Sequence, residues 1–187
     1  MKTFKKLAVV VVAGIISLSA SAQNGKQEKT VEVGGAPMYP SKNIVENAVN
    51  SKDHTTLVAA VKAAGLVETL QTPGPFTVFA PVNKAFDKLP KGTVDQLLQP
   101  ENKNQLTAVL TYHVVAGNLS AEAITQKIQE GEGKAVLTTV QGGTITLLKK
   151  GKKLMLSDAK GNVATITIAD VQQSNGVIHV IDTVILP

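Results

Sequence analysis

The chain has 187 residues, contains no cysteine and carries a formal net charge of +5 at pH 7. Without disulfide bonds its stability must come from a hydrophobic core, and a chain of this length buries roughly 70% of its unfolded surface as one domain. All 19 basic residues are lysine. Arginine is the side chain best suited to bidentate recognition of phosphates and base edges, so nucleic acid is excluded as an expected partner.

The first 22 residues have the pattern of a secretory signal peptide. Three lysines within Met1–Lys6 precede an apolar run from Leu7 to Leu18, and the small residues Ala20 and Ala22 then form a cleavage motif. The run is shorter than the roughly 20 residues that a membrane-spanning helix needs, and no cysteine follows it to carry a lipid anchor. We expect cleavage after Ala22, which lowers the net charge to +2. A secreted or periplasmic product without stable membrane insertion would result.

Residues 23 to 39 are polar and glycine-bearing, without apolar periodicity, and we interpret them as a tether before a single domain at residues 40 to 187. Apolar residues then recur at helix spacing from Ile44 to Val49 and from Leu57 to Ala64. Asp53 and Gly65 are expected to begin and end the second of these helices. Later helices are predicted to be capped by Asn83, Thr93 and Ser120.

Strand-forming residues interrupt the helical half at Phe76–Ala80 and Tyr112–Val115, and they dominate the last third of the chain. Turn residues divide that third into strands at 136–140, 144–148, 154–156, 163–169 and 177–186. Helices followed by short strands with tight turns indicate an α+β fold. The lysine-rich segment Lys149–Lys153 is interpreted as a solvated hairpin loop, with a polyanion-binding patch as the alternative.

Two segments resemble the signatures of fasciclin-like domains: Thr77–Pro90, which reads TVFAPVNKAFDKLP, and Ser174–Pro187, which reads SNGVIHVIDTVILP. The Tyr112-His113 pair lies between them, as it does in the family, and the resemblance covers Tyr39 to Pro187. It implies a wedge-shaped β-sandwich of two sheets with several helices packed alongside, and a biology of cell adhesion and extracellular-matrix contact. Val82 departs from the family pattern, which has Thr or Ser there, so Asn83 would have to cap the following helix.

The resemblance also suggests residues that contact a partner. In animal members of the family the Tyr-His stretch has been proposed to contact integrins, which singles out Tyr112 and His113. Asp170-Val171 matches an Asp-Ile pair that adhesive members place before the second signature, although Ala169 stands where one adhesive motif has proline. We expect Asp170 to lie in a loop just past the end of a strand.

The reactive side chains give little support for catalysis. A Ser174–His179–Asp182 set can be imagined, but His179 and Asp182 are three residues apart and point to opposite faces of an extended strand. His113 and His179 lie in apolar strands and are interpreted as neutral, hydrogen-bonded core residues. Asp182 is expected to tie the last strand to its neighbours. We predict no catalytic residue, no metal site and no cofactor.

The sequence therefore favours an exported, non-catalytic module for cell adhesion or matrix binding. The expected partner is an extracellular or cell-surface protein or an anionic polymer, since exposed aromatic residues for a sugar platform are missing. The first alternative is a soluble extracytoplasmic receptor for a small apolar ligand, for which a cavity of roughly 300 Å³ or more would be expected. A cryptic hydrolase is the third hypothesis.

Overall fold

The computed structural model describes residues 28–187, in which a helical first half is followed by a run of strands. The predicted α+β class is confirmed. The helices are α1 (Ile44–Ala48), α2 (Thr55–Ala64), α3 (Val67–Gln71), α4 (Asn83–Phe86), α5 (Thr93–Leu97), α6 (Lys103–Tyr112) and α7 (Ala121–Glu130). The strands are β1 (Val31–Val33), β2 (Ala36–Met38), β3 (Phe76–Pro81), β4 (Val114–Ala116), β5 (Lys134–Thr138), β6 (Thr144–Lys150), β7 (Lys153–Ser157), β8 (Val163–Gln173) and β9 (Gly176–Ile181).

Seven strands form one mixed sheet in the order β4-β3-β9-β8-β7-β6-β5, in which β3 and β9 are parallel and every other pair is antiparallel. The long strand β8 belongs to both halves of this sheet, because its first residues pair with β7 and its later residues pair with β9. Beyond β5 the chain returns to the opposite edge, where the Val140 amide donates to the Val114 carbonyl at 2.8 Å. The predicted sandwich is therefore nearly closed.

Two hydrophobic cores lie on opposite faces of the central strands. Val78 and Ala80 of β3 contact a core that includes residues of α1, α2, α5 and α6. Phe79, between them, points to the other face, into a core shared with α7 and with strands β5 to β8. The same alternation holds in β9, where Val180 faces the first core and Ile181 the second. This two-sided burial explains why β3 and β9 are almost uniformly apolar.

The N-terminal tether prediction is wrong for the residues that the structure describes. Strands β1 and β2 form an antiparallel hairpin. Val33 and Met38 are each only 1% exposed and pack in the first core, which lies beside α1, α2, α5 and α6 and is called the helix-side core below. The sequence signal was weak because each strand contributes only one buried side chain and Gly34-Gly35 forms the turn, with positive φ angles of 60° and 74°. The predicted signal peptide, residues 1 to 22, lies outside the described residues.

Several predicted helix ends are correct and others are displaced. Gly65 ends α2 in the left-handed conformation, and the Ser120 hydroxyl accepts from the Ala123 amide at 3.1 Å to cap α7. Asp53 does not cap α2, because it lies in a 3₁₀ turn that precedes the helix. Asn83 and Thr93 are first helical residues, so Val82 and Gly92 occupy the cap positions of α4 and α5. Each of these three cap positions lies one residue from the predicted one, which is within the ordinary variation of helix boundaries.

Burial of Met38 predicts that the hairpin contributes to the stability of the domain. Met38→Ala should lower the free energy of unfolding by about 2 to 5 kcal/mol, because it removes a large side chain from a packed core. The measurement is urea unfolding of the full chain. Glu32→Ala is the matched control, since Glu32 is exposed in the same hairpin and should change stability by no more than about 0.5 kcal/mol. Equal stability of the Met38 variant and the wild type would restore the tether interpretation.

Candidate functional site

His179 lies at the centre of the molecule and is fully buried. Its ring stacks on Phe79 with centroids 5.7 Å apart. Nε2 donates to the Leu119 carbonyl at 2.7 Å, and Nδ1 accepts from the Asp170 amide at 3.3 Å. These contacts define one neutral tautomer. Burial lowers the pKa of His179, against the opposing effects of the Leu119 carbonyl and the Asp170 carboxylate.

Asp170 lies in a β-bulge within β8. Ile168 pairs with Val180 and Val171 pairs with Ile178, so two residues, Ala169 and Asp170, oppose His179 alone. Asp170 has a φ angle of 59°, which is uncommon for a residue other than glycine. The bulge turns its side chain toward α7, where Oδ1 accepts from the Ala121 amide at 2.7 Å. This carboxylate satisfies one of the free amides of the helix N-terminus and complements its partial positive charge.

The sequence-based location of Asp170 is therefore corrected. The residue does not lie in a loop past the end of a strand, because β8 continues to Gln173. The strand continues because its apolar alternation resumes after the bulge at Val171, which is wholly buried. Val171 packs in the helix-side core, so its side chain has no exposed surface for a partner to contact. Asp170 itself is half-buried, and no hydrogen bond within residues 28–187 engages its Oδ2.

The Tyr112-His113 pair is also buried, with exposed fractions of 1% and 3%. The predicted strand begins only at Val114, because Tyr112 is the last residue of α6 and His113 caps that helix. The Tyr112 hydroxyl donates to the Thr144 carbonyl at 2.6 Å. Direct contact between either side chain and a protein partner is thus incompatible with this fold, and the integrin-type expectation does not transfer to them.

His113 joins two distant parts of the backbone. Nδ1 donates to the Val109 carbonyl at 2.8 Å, and Nε2 accepts from the Ile185 amide at 3.3 Å. Burial lowers the pKa of His113 to about 4, although the Val109 carbonyl acts in the opposite direction. The ring therefore connects the end of α6 to the C-terminal segment while remaining neutral at physiological pH.

Asn83 and Asp182 both connect separate elements. Asn83 Oδ1 accepts from the Thr56 amide at 3.0 Å, so this side chain satisfies the N-terminus of α2 rather than that of its own helix. Asp182 Oδ1 accepts from the Thr165 amide at 2.8 Å, which ties the end of β9 to β8. Its other oxygen is 4.0 Å from the Lys88 ammonium in a solvent-exposed ion pair of small energetic value.

Three buried polar residues were missed by sequence reasoning. Asn175, in the β8–β9 turn, accepts from the Ile44 amide at 3.1 Å and donates to the Leu70 carbonyl at 2.8 Å. Asn47 hydrogen-bonds the Tyr39 backbone and Gln173. The Asp158 carboxylate accepts hydrogen bonds from Asn162, Lys160 and Leu186, which together lower its pKa although burial acts to raise it.

The signals for these three residues were present but ambiguous. Asn175-Gly176 and Lys160-Gly161-Asn162 are turn residues in the sequence, whereas Asn47 lies within a helical pattern. A turn needs no partner outside itself, so nothing local indicated that the Asn175 side chain would contact α1 and the end of α3. Buried amides of this kind become visible only when distant backbone groups are placed beside them.

The reactive side chains are not assembled into a catalytic set. His179 bonds only to backbone atoms, and no hydrogen bond within residues 28–187 joins it to Ser174 or Asp182. The third histidine, His54, is also buried, and its Nδ1 lies 2.9 Å from the Ser51 hydroxyl. In the part of the chain that the structure describes, no group of three His, Asp or Glu residues could hold a metal ion.

An apolar cleft separates the helices from the sheet. It has a volume of about 80 Å³, and its walls include Val45, Val61, Leu70, Phe76 and Val114. This volume is well below the roughly 300 Å³ at which ligand pockets begin. Within residues 28–187 no helix is long and apolar enough to span a bilayer.

Comparison with known proteins identifies the class of protein that this fold and these signatures define. The model of the family described as Fasciclin domain matches residues 52–187, so the chain belongs to the fasciclin domain family. The structure of a FAS1 domain pair from the insect cell adhesion molecule fasciclin I superimposes with a TM-score of 0.71 at 18% sequence identity, covering 80% of this chain and 52% of that one. The predicted fasciclin-like fold is confirmed.

Two of the similar sequences come from bacteria. Protein sll1483 of Synechocystis is 48% identical over 168 residues, which cover 90% of this chain and 86% of that protein. The cell surface glycolipoprotein MPB83 of Mycobacterium bovis is 36% identical over 145 residues, which cover 75% of this chain and 58% of that protein. The family is one of generally non-catalytic domains with adhesion and surface-protein roles.

The buried histidines predict that the domain loses stability in mild acid. His113 has a pKa of about 4 in the folded state against 6.5 in an unfolded chain, so between these values the unfolded chain binds more protons. Stability is therefore fully present above pH 6.5 and falls as the pH decreases toward about 4. The pKa shift of His113 corresponds to a loss of about 3 kcal/mol in the free energy of unfolding. His54 and His179 shift in the same direction and add to the loss.

Two measurements check this prediction. Urea unfolding at a series of pH values from about 7.5 to about 4.5 should show a free energy of unfolding that is nearly constant above about pH 6.5 and decreases below it. NMR titration of the imidazole resonances should show His113 still neutral near pH 5. A free energy that stays constant, or a His113 titration near pH 6.5, would contradict the burial of these rings.

Proposed function

We propose that this protein is an exported, non-catalytic attachment module that contacts an extracellular or cell-surface protein, and that Asp170 contributes a charged group to the contact. The carrying observation is the placement of this carboxylate in the bulge. Oδ1 is held by the Ala121 amide, while Oδ2 makes no hydrogen bond within residues 28–187. A charged acceptor that is already fixed loses little conformational entropy when it binds a basic group.

The surroundings of Asp170 support its rigid presentation. Its backbone amide donates to buried His179, which is in turn hydrogen-bonded to the Leu119 carbonyl. The backbone on both sides belongs to β8 and pairs with β9. The strand and His179 thus hold the backbone of Asp170, and the Ala121 amide holds its carboxylate, so we expect this acceptor to keep its position in the free protein.

Family and sequence support the export and attachment parts of the proposal. The family has surface and adhesion roles, and its member MPB83 is named a cell surface glycolipoprotein. The N-terminal residues have the pattern of a secretory signal peptide. The receptor alternative is disfavoured because the apolar cleft of about 80 Å³ is too small for the ligands that such pockets usually enclose.

The proposal predicts that Asp170→Asn weakens attachment more than it weakens folding. Asparagine retains an oxygen for the Ala121 amide but removes the charge, so stability should fall by only about 0.5 to 1 kcal/mol at the helix N-terminus. The second expected effect is on binding of cells of the producing organism to a surface coated with the exported chain. This binding should fall by about tenfold, since hydrogen bonds to charged groups contribute about 1.5 to 3 kcal/mol. Urea unfolding and a cell-attachment assay measure the two quantities.

Asp87→Asn is the matched control, because it removes the same charge from an exposed position. It should leave both stability and attachment unchanged. Equal attachment by the Asp170 variant and the wild type would overturn the role of Asp170. Equal loss in both variants would show that only the net charge of the protein matters.

A further inference from the structure

A second surface feature begins at Ala121, the residue whose amide donates to Asp170, and extends from there along α7. It is an open groove between the polar face of α7 and the β6–β7 hairpin, with a volume of about 690 Å³. Six polar side chains line it: Glu122, Thr125, Gln126 and Gln129 on the helix, and Lys149 and Lys152 on the hairpin. We call it the α7 groove.

The helical wall of the α7 groove follows from the sequence of α7. Ile124 and Ile128 are four residues apart and bury one face of the helix in the core. Glu122 and Gln129, on the opposite side, are seven residues apart, which is two turns or about 10 Å along the axis. Amide, hydroxyl and carboxylate groups are thus spaced along an extended track rather than gathered around one point.

The hairpin wall supplies the positive charge. Ile145 and Leu147 of β6 point inward, so Lys149 points to the same side by strand alternation and reaches the groove. Lys150 and Lys153 oppose each other in the register and lie on the other face of the hairpin. Within residues 28–187 none of these lysines forms an ion pair. Two ammonium groups therefore face the groove and two face away from it.

The hairpin tip extends beyond its neighbours. β8 pairs with β7 only at Met155–Ser157, and β5 pairs with β6 only at Thr144–Leu148. The tip from Lys149 to Leu154 is therefore two-stranded and carries four lysines without an acid. Lys149 pairs with Leu154, and both residues line the groove, so Lys149 faces it without an acid opposite.

We propose that the α7 groove binds an acidic polysaccharide whose carboxylates contact Lys149 and Lys152 while its hydroxyls hydrogen-bond to Thr125, Gln126 and Gln129. Both walls match this chemistry, because uronic acid units combine regularly spaced charges with many hydroxyl groups. Nucleic acid fits less well, since the groove has no arginine and no aromatic side chain for base stacking. An anionic membrane fits less well, because a flat surface does not enter a concave groove.

The experiment measures binding of the full exported chain to polygalacturonate by calorimetry, with neutral dextran as the polymer control. Lys149→Gln/Lys152→Gln should weaken binding by about tenfold to thirtyfold, from the contribution of each lysine near an anionic surface. Lys150→Gln/Lys153→Gln is the matched control with the same change in net charge, and it should change affinity by no more than about threefold.

Two further variants separate the groove from general electrostatic attraction. Glu122→Gln should increase affinity, because it removes the one acid that lines the groove. Gln126→Ala/Gln129→Ala should reduce affinity without any change in charge. Equal weakening by the two lysine double variants would overturn the groove assignment. An unchanged affinity of the Gln126→Ala/Gln129→Ala variant would overturn it as well. Equal binding of phosphatidylglycerol vesicles or of a DNA oligonucleotide would overturn the polysaccharide assignment.

These outcomes are independent of the attachment role of Asp170. Purified polymer contains no protein partner, so loss of polygalacturonate binding in the lysine variant tests the groove alone. Conversely, a groove variant that loses the polymer but retains attachment to cells leaves the protein contact intact. Failure of wild-type chain to bind polygalacturonate more tightly than dextran would overturn the groove proposal and leave the attachment proposal standing.

Discussion

The parallel pairing of β3 with β9 is the constraint on which the rest of the structure depends. The two strands are about 100 residues apart in the chain, yet they pair residue by residue from Phe76 with Gly176 to Pro81 with Ile181. Gly176 permits the close approach at the start of the pair, because a Cβ there would overlap the Phe76 carbonyl oxygen. The pair forms the shared wall of the two large cores, so each face of it depends on the other.

Both candidate contact regions are positioned from this wall. His179 lies on the same face of β9 as Ile181, and its Nδ1 accepts a hydrogen bond from a backbone amide of β8 opposite it. The bulge at Ala169 and Asp170 supplies that donor and turns the Asp170 carboxylate to the N-terminus of α7. The same helix then presents Glu122 to Gln129 along the α7 groove. A polar residue in the core is thus connected through Asp170 to the N-terminus of a surface helix.

The fold could be predicted from the sequence to the level of its class and family. Periodicity and turn residues indicated α+β packing. The first signature segment contains β3 and α4, and the second contains the β8–β9 turn, β9 and the C-terminal residues. The N-terminal hairpin could not be predicted, because Val33 and Met38 are isolated apolar residues in polar surroundings and their burial depends on helices more distant in the chain.

The candidate sites could be predicted only in part. Tyr112, His113 and Val171 were selected by resemblance, but their side chains are buried in the core. Asp170 was selected by the same resemblance, but the bulge that holds it arises from pairing with β9 and leaves no local signal. The α7 groove could not be predicted from the sequence, since it requires Lys149 and Lys152 to be placed against a helix that precedes them by about 20 residues. The bulge and the groove both arise from long-range register.

Native-state hydrogen exchange tests the central claim that the β3–β9 pair joins the two cores into one cooperative unit. The amides of β3 and β9 should exchange only through global unfolding, and the buried amides of α2, α6, β6 and β7 should reach the same limiting free energy with the same denaturant dependence. The opposite result would be two groups of amides, one on the helix side and one on the strand side, that open with different free energies. That outcome would show that the shared wall does not couple the cores.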